Sequence, residues 1–123
     1  METPQKIIVV VDDDPGMRDA MESLLSTLGY RAQLYASGAE FLADVNTIEA
    51  VCLILDIQLG DITGIELARH LVSSGYTFPT IFMSGSNDES FRQDSFALGG
   101  VDFLPKPFRA QQLMSAISKA IDS

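Results

Sequence analysis

The sequence has 123 residues, 46% of them hydrophobic, and a formal charge of −9, acidic residues being about twice as numerous as basic ones. Such a chain is long enough for one domain and too short for two with separate cores, and its apolar share argues against disorder. Its acidity argues against direct binding to nucleic-acid phosphates, which needs a basic patch. The single cysteine, Cys52, and single histidine, His70, exclude a disulfide framework, a zinc site built on those residue types and a Ser-His-Asp relay. No apolar run approaches the roughly 20 residues of a membrane helix, and METPQK lacks the features of a signal peptide. The expected location is therefore cytoplasmic, with no membrane partner.

The chain reads as alternating strands and helices. Lys6 to Val11 (KIIVVV) is apolar on both faces, as in a buried parallel strand. Asp14-Pro15 then has the pattern of an N-cap followed by proline in the first turn. Met17, Ala20, Met21, Leu24, Leu25 and Leu28 recur at helical spacing before Gly29, which can stop the helix. Residues 31–35 (RAQLY) form a weaker strand, and Ser37 to Glu40 has capping-box spacing ahead of Phe41, Leu42 and Val45.

Val51 to Leu55 is a second fully apolar strand and includes Cys52, which reads as a small buried hydrophobe. Thr63 to Glu66 is another capping box, opening a helix whose buried stripe is Ile65, Ala68, Leu71 and Val72, with His70 on the surface and Gly75 at the end. Thr80 to Met83 is the fourth strand. Asn87 to Leu98 is helical by elimination, but Phe91, Phe96 and Leu98 fit no clean stripe. Val101 to Leu104 is the fifth strand, and Leu113, Ala116, Ile117, Ala120 and Ile121 mark a last amphipathic helix. Five strands alternating with five helices predict an α/β fold, a doubly wound parallel sheet covered on both faces, and one domain over residues 1–123.

In such sheets ligands bind beyond the carboxyl ends of the strands. The first strand ends in Asp12-Asp13-Asp14, the third in Asp56 and the fourth in Ser84, while the fifth runs into Lys106. Taken singly these are ordinary features: a solvated turn with a helix cap, a turn aspartate, a loop serine, a surface lysine. Their joint occurrence at four strand ends points to one polar cluster. Clustered carboxylates repel, and a hard dication such as Mg²⁺ removes the conflict, so metal-dependent phosphate chemistry is expected there.

At this point VVDDDP, LILDIQLGDITGIEL, TIFMSGS and GGVDFLPKPF, in register over nearly the whole chain, resemble the receiver domain of bacterial response regulators. Gly64 follows Asp56 by eight positions and Lys106 follows Ser84 by twenty-two. The resemblance implies the flavodoxin-like strand order 2-1-3-4-5 and a place in a two-component phosphorelay. It implies that Asp56 is the phosphoacceptor for a sensor histidine kinase or histidine phosphotransfer protein, and that the chain is not itself an enzyme. Mg²⁺, for which Mn²⁺ can substitute, would be held by Asp12, Asp13, Asp56 and the backbone carbonyl of Gln58. Ser84 and Lys106 would bind phosphoryl oxygens. Ser84 and Phe103 would form the switch, Phe103 turning inward as Ser84 moves, and Pro107 would follow a cis peptide that aims Lys106 inward. The FLPKPF segment is similar to receivers that often precede a helix-turn-helix effector.

One departure stands out: Leu59-Gly60 replaces the family's usual Met-Pro, and Gly60 loosens the loop after Asp56 where proline would stiffen it. Gln58 and Ser86 occupy positions where the family tunes dephosphorylation. Three other readings stay open at this level. A haloacid-dehalogenase-type phosphatase would use Asp12 as nucleophile and Asp14 as general acid. A nucleotide- or flavin-binding module would want a Gly- or Ser/Thr-rich loop where the three aspartates stand. A docking module would keep the fold without the phosphorylation.

Overall fold

The computed structural model describes residues 5–85 and 89–122. Ser86 and the expected helix start at Asn87 lie outside the described residues. In chain order the elements are β1 (Ile7–Val11), α1 (Pro15–Thr27), β2 (Arg31–Tyr35), α2 (Gly38–Asp44) with a 3-10 turn (Val45–Thr47), β3 (Cys52–Asp56), α3 (Gly64–Ser73), β4 (Thr80–Ser84), α4 (Glu89–Ala97), β5 (Gly100–Pro105) and α5 (Ala110–Asp122). The strands form one parallel sheet in the order β2-β1-β3-β4-β5.

Successive side chains along a strand face opposite sides of the sheet, so runs apolar throughout feed two cores at once. Ile8, Val10, Cys52, Ile54, Ile81, Met83 and Leu104 pack beneath α1 and α5, against Met21, Leu25, Leu113 and Ile117. Val9, Val11, Leu53, Leu55, Phe82 and Phe103 face the other way, toward Phe41, Leu67 and Leu71 of α2 and α3. Each fully buried aliphatic side chain stabilises the fold by about 1.5–3 kcal/mol, so the inner strands β1, β3 and β4 anchor the structure.

The helix starts follow their local chemistry. Asp14 caps α1 through the Gly16 N–H, Ser37 caps α2 through the Glu40 N–H, and Thr63 caps α3 through the Glu66 N–H. Gly29 and Gly75 end α1 and α3 at φ +92° and +85°, conformations that side-chain-bearing residues rarely adopt.

The structure corrects several details of the pattern reading. Ala20 is exposed, because it stands about 100° around α1 from Met21. Val72 is 55% exposed and Leu67 takes its place in the core. Val72 stands about 100° around α3 from Leu71, which is buried in the same turn. Val45 opens the 3-10 turn and does not belong to α2. Strand and helix limits shift by a residue or two, and a register shift opposite Thr80 and Ile81 leaves Val101 unpaired. His70 is exposed as expected. Among the described residues no helix is long and apolar enough to cross a membrane.

Candidate functional site

The strand order places the ends of β1, β3, β4 and β5 beside one another, and the cluster forms there. Asp12 extends the β1 ladder, its N–H donating to the Tyr35 carbonyl at 3.1 Å, and is completely buried. Its Oδ1 accepts from the Asp14 N–H at 2.9 Å, closing an Asx turn that hands the chain to the α1 cap. Asp13, in the middle of that turn, is left exposed. Asp56 ends β3, is 4% exposed, and accepts the Gln58 N–H at 3.2 Å. Oxygens of Asp12, Asp13 and Asp56 all lie within 4.8 Å of one another, the one such acidic group among the described residues.

Lys106 joins the cluster from the far end of the chain. Its Nζ lies 2.9 Å from Asp12 Oδ2 and 3.2 Å from Asp56 Oδ2. Its backbone N–H donates to the carbonyl of buried Ser84 at 2.7 Å, which ties the lysine to the end of β4. The Lys106–Pro107 peptide is cis, as the resemblance implies. Burial, then the charge of Asp12, pushes the Asp56 carboxyl above its ordinary range, against the opposing pull of the Gln58 N–H and Lys106. Burial also works against the charge of Lys106. The hydrogen bond to Asp12 and the charges of Asp56 and Asp12 together outweigh it and raise the ammonium above the ordinary lysine value.

One ammonium does not neutralise three carboxylates. The donor set is all oxygen, partly buried and net negative, which suits a hard cation of the Mg²⁺ type. Gln58 is exposed beside it. Phe103 is buried, 7% exposed, with the Arg92 guanidinium 6.0 Å from its ring centre. Asp14, which a phosphatase would need as general acid, is exposed and occupied in capping α1. At the opposite end of the sheet an apolar groove of about 370 Å³ is lined by Leu71, Val72, Tyr76, Phe78 and Pro79, and none of the cluster residues borders it.

Four residues at the site escaped the pattern reading. Arg18 donates to the Asp12 carbonyl at 2.8 Å. Gly64 lets α3 approach β3: a Cβ there would lie 2.4 Å from the Asp56 carbonyl oxygen. Asp61 accepts from the Gly38 and Ala39 N–H groups at 3.2 and 2.9 Å, and hydrogen bonds led by that from Ala39 hold its carboxyl below the usual range. Ile62 packs on Gly38, where a Cβ would come within 2.8 Å of its side chain. Gly64, Asp61 and Ile62 all lie in the segment LILDIQLGDITGIEL, but only for Gly64 does the spacing from Asp56 give a signal.

The fold and this cluster together define a receiver. The chain belongs to the response regulator receiver domain family, whose model matches residues 8–118. It is 35% identical to the response regulator protein TmoT of Ectopseudomonas mendocina, over 98% of this chain and 55% of that protein. It is 33% identical to the transcriptional regulatory protein FixJ of Bradyrhizobium diazoefficiens, over 93% of this chain and 56% of that protein. The chain thus spans about half the length of the curated relatives it matches. Full-length FixJ from B. japonicum superposes with a TM-score of 0.90 at 32% identity, covering 98% of this chain and 59% of that one. A CheY-like receiver domain protein from Methanospirillum hungatei gives 0.89 at 25% identity, covering 97% and 95%.

Proposed function

We propose that the chain accepts a phosphoryl group on Asp56 from a phosphohistidine of a sensor histidine kinase or histidine phosphotransfer protein, and controls an effector or partner protein by the resulting change of shape. The observation that carries this reading is Lys106 Nζ within 3.2 Å of both Asp12 and Asp56 at the meeting of the strand ends. The setting is a cytoplasmic two-component pathway. The chain is a phosphoacceptor that assists its own phosphorylation and dephosphorylation, and not an enzyme acting on a separate substrate.

A carboxylate oxygen of Asp56 forms the new O–P bond as the donor's P–N bond breaks. The imidazole leaves with the bonding pair and takes a proton from water. Such transfer needs in-line positioning and charge neutralisation more than covalent help. Asp12, Asp13, Asp56 and the carbonyl of Gln58 are the groups to hold Mg²⁺, or Mn²⁺ in its place. When bound, the ion supplies positive charge against the carboxylates and the incoming phosphoryl oxygens. The Ser84 hydroxyl donates to one phosphoryl oxygen and the Lys106 ammonium neutralises another. Ser84 and Phe103, on adjacent strands β4 and β5, carry the change outward to α4. The product is an acyl phosphate, which water later cleaves.

The test is intact mass after incubation with acetyl phosphate, with and without Mg²⁺, for wild type and Asp56→Asn. A Mg²⁺-dependent gain of one phosphoryl group, lost in the variant, is expected. A gain that survives Asp56→Asn but disappears in Asp12→Asn would transfer the role to Asp12, as in a phosphatase. If wild type gains nothing from acetyl phosphate or from a phosphorylated kinase, the domain is a docking module.

A further inference from the structure

We infer that Asp61 is a positioning residue for the cation side of the site, latching the loop after β3 onto the first turn of α2. The inference rests on the receiver reading above and adds a part to it. The loop from Ile57 to Thr63 is fixed at its ends: the Ile57 N–H donates to the Met83 carbonyl at 2.9 Å, and the Gly64 N–H donates to the Ile57 carbonyl at 2.8 Å. Between these points the backbone must present the Gln58 carbonyl, and it passes Gly60, where a Cβ would lie 3.5 Å from Asp13 Oδ2. The loop middle is therefore the wall beside the exposed carboxylate of the cluster. It has glycine at the position where ring closure could have stiffened it, and glycine has the widest backbone freedom of any residue.

Asp61, inside the loop, gains the missing restraint from α2 outside it. The first three N–H groups of α2 have no partner within the helix. Ser37 Oγ takes that of Glu40 at 3.1 Å, and the two oxygens of Asp61 take those of Gly38 and Ala39 at 3.2 and 2.9 Å. Two charge-assisted bonds from one carboxylate fix both position and orientation. Ile62 seats against Gly38 next to them, and only glycine leaves room for it. The latch makes α2 part of the scaffold of the cluster, although none of its residues reaches the acids. Groups that orient metal ligands without touching the ion typically contribute about 10–100-fold to its affinity.

The proposal is tested on the full chain by Mn²⁺ titration followed by electron paramagnetic resonance, for wild type, Asp61→Ala, Asp61→Asn and Ser37→Ala. Ser37→Ala removes a cap from the same helix end without freeing the loop. Both alanine variants should lower Tm. Only Asp61→Ala should raise the Mn²⁺ dissociation constant, by about tenfold, with Ser37→Ala within about twofold of wild type. Asp61→Asn, which keeps one acceptor, should fall between and serves if the alanine variant does not fold. Phosphorylation of Asp61→Ala by acetyl phosphate should need more Mg²⁺ yet reach the wild-type rate at saturation, a split that loss of stability alone does not produce. Wild-type Mn²⁺ affinity in both Asp61 variants, or equal weakening by Ser37→Ala, overturns the latch and leaves the receiver reading intact. Wild-type protein that binds no Mn²⁺ overturns both.

Discussion

Strand β5 is flanked by two helices of very different grip. On one face α5 buries Leu113, Ala116, Ile117 and Ala120, none more than 2% exposed. On the other α4 buries only Ser95 among its described residues, leaves Phe96 41% exposed, and lays Arg92 across the rings of Phe96 and Phe103 at 5.4 and 6.0 Å. Local stability follows buried apolar contact, so the strand is anchored on one side and lightly covered on the other. Leu104 belongs to the anchored face and Phe103 to the light one. A change of state at the strand ends thus has an inexpensive direction in which to travel, through Phe103 and α4.

Three experiments can break or sharpen this contrast. The largest effect concerns Cys52, on the anchored face, whose thiol burial pushes up to about 12 from 9.0. At pH 8 the folded protein should hold roughly a thousandfold less thiolate than an exposed cysteine. Alkylation should then track global unfolding, while the α4 amides exchange hydrogen by a faster, local opening. Equal rates for the two probes would mean that α4 is no looser than the rest.

Next in size, Leu113→Ala should cost about 2–5 kcal/mol in urea unfolding. Phe96→Ala on α4 should stay within about 1 kcal/mol despite removing the larger side chain. Similar losses would show that α4 is held as firmly as α5.

The smallest effect lies where β5 meets the site. Without metal, the Asp56 carboxyl lies above the value it has in the unfolded chain, with burial the first cause. The folded protein therefore holds that proton more tightly. The stability from this group is full below the unfolded value and is lost as pH rises through the folded one. In EDTA at pH 7.5, Asp56→Asn should thus raise Tm, by no more than about 5 °C for a domain of this length. The gain should shrink as pH falls through the folded value. A lower Tm at pH 7.5 would mean that the Lys106 ion pairs outweigh burial.

Much of this was legible from residue order because the signals are local. Runs such as IIVVV and CLIL have only one stable disposition, between two layers of helices. Asp14, Ser37 and Thr63 cap helices that begin at the very next residue. The strand-end acids could be placed together because parallel topology dictates where strands end. Ala20 and Val72 differ from the expectation because each stands about 100° around its helix from a buried neighbour, and spacing alone does not say how wide the covered stripe is. Asp61 went unseen because its partners lie 22 and 23 positions away, with no spacing rule to link them. Lys106 was expected near the acids, but its simultaneous contact with Asp12 and Asp56 is a matter of a few ångströms that no pattern encodes.

The bond from Lys106 to Asp12 closes a loop of 94 positions. Contacts of such long range form late, after the entropy of closing the intervening chain has been offset by other pairings. During synthesis β1 and β3 leave the ribosome well before the lysine does, and their acids stay without this counter-charge until the last strand docks beside β4. The acid cluster of a nascent chain is therefore incomplete until β5 has been made and has docked.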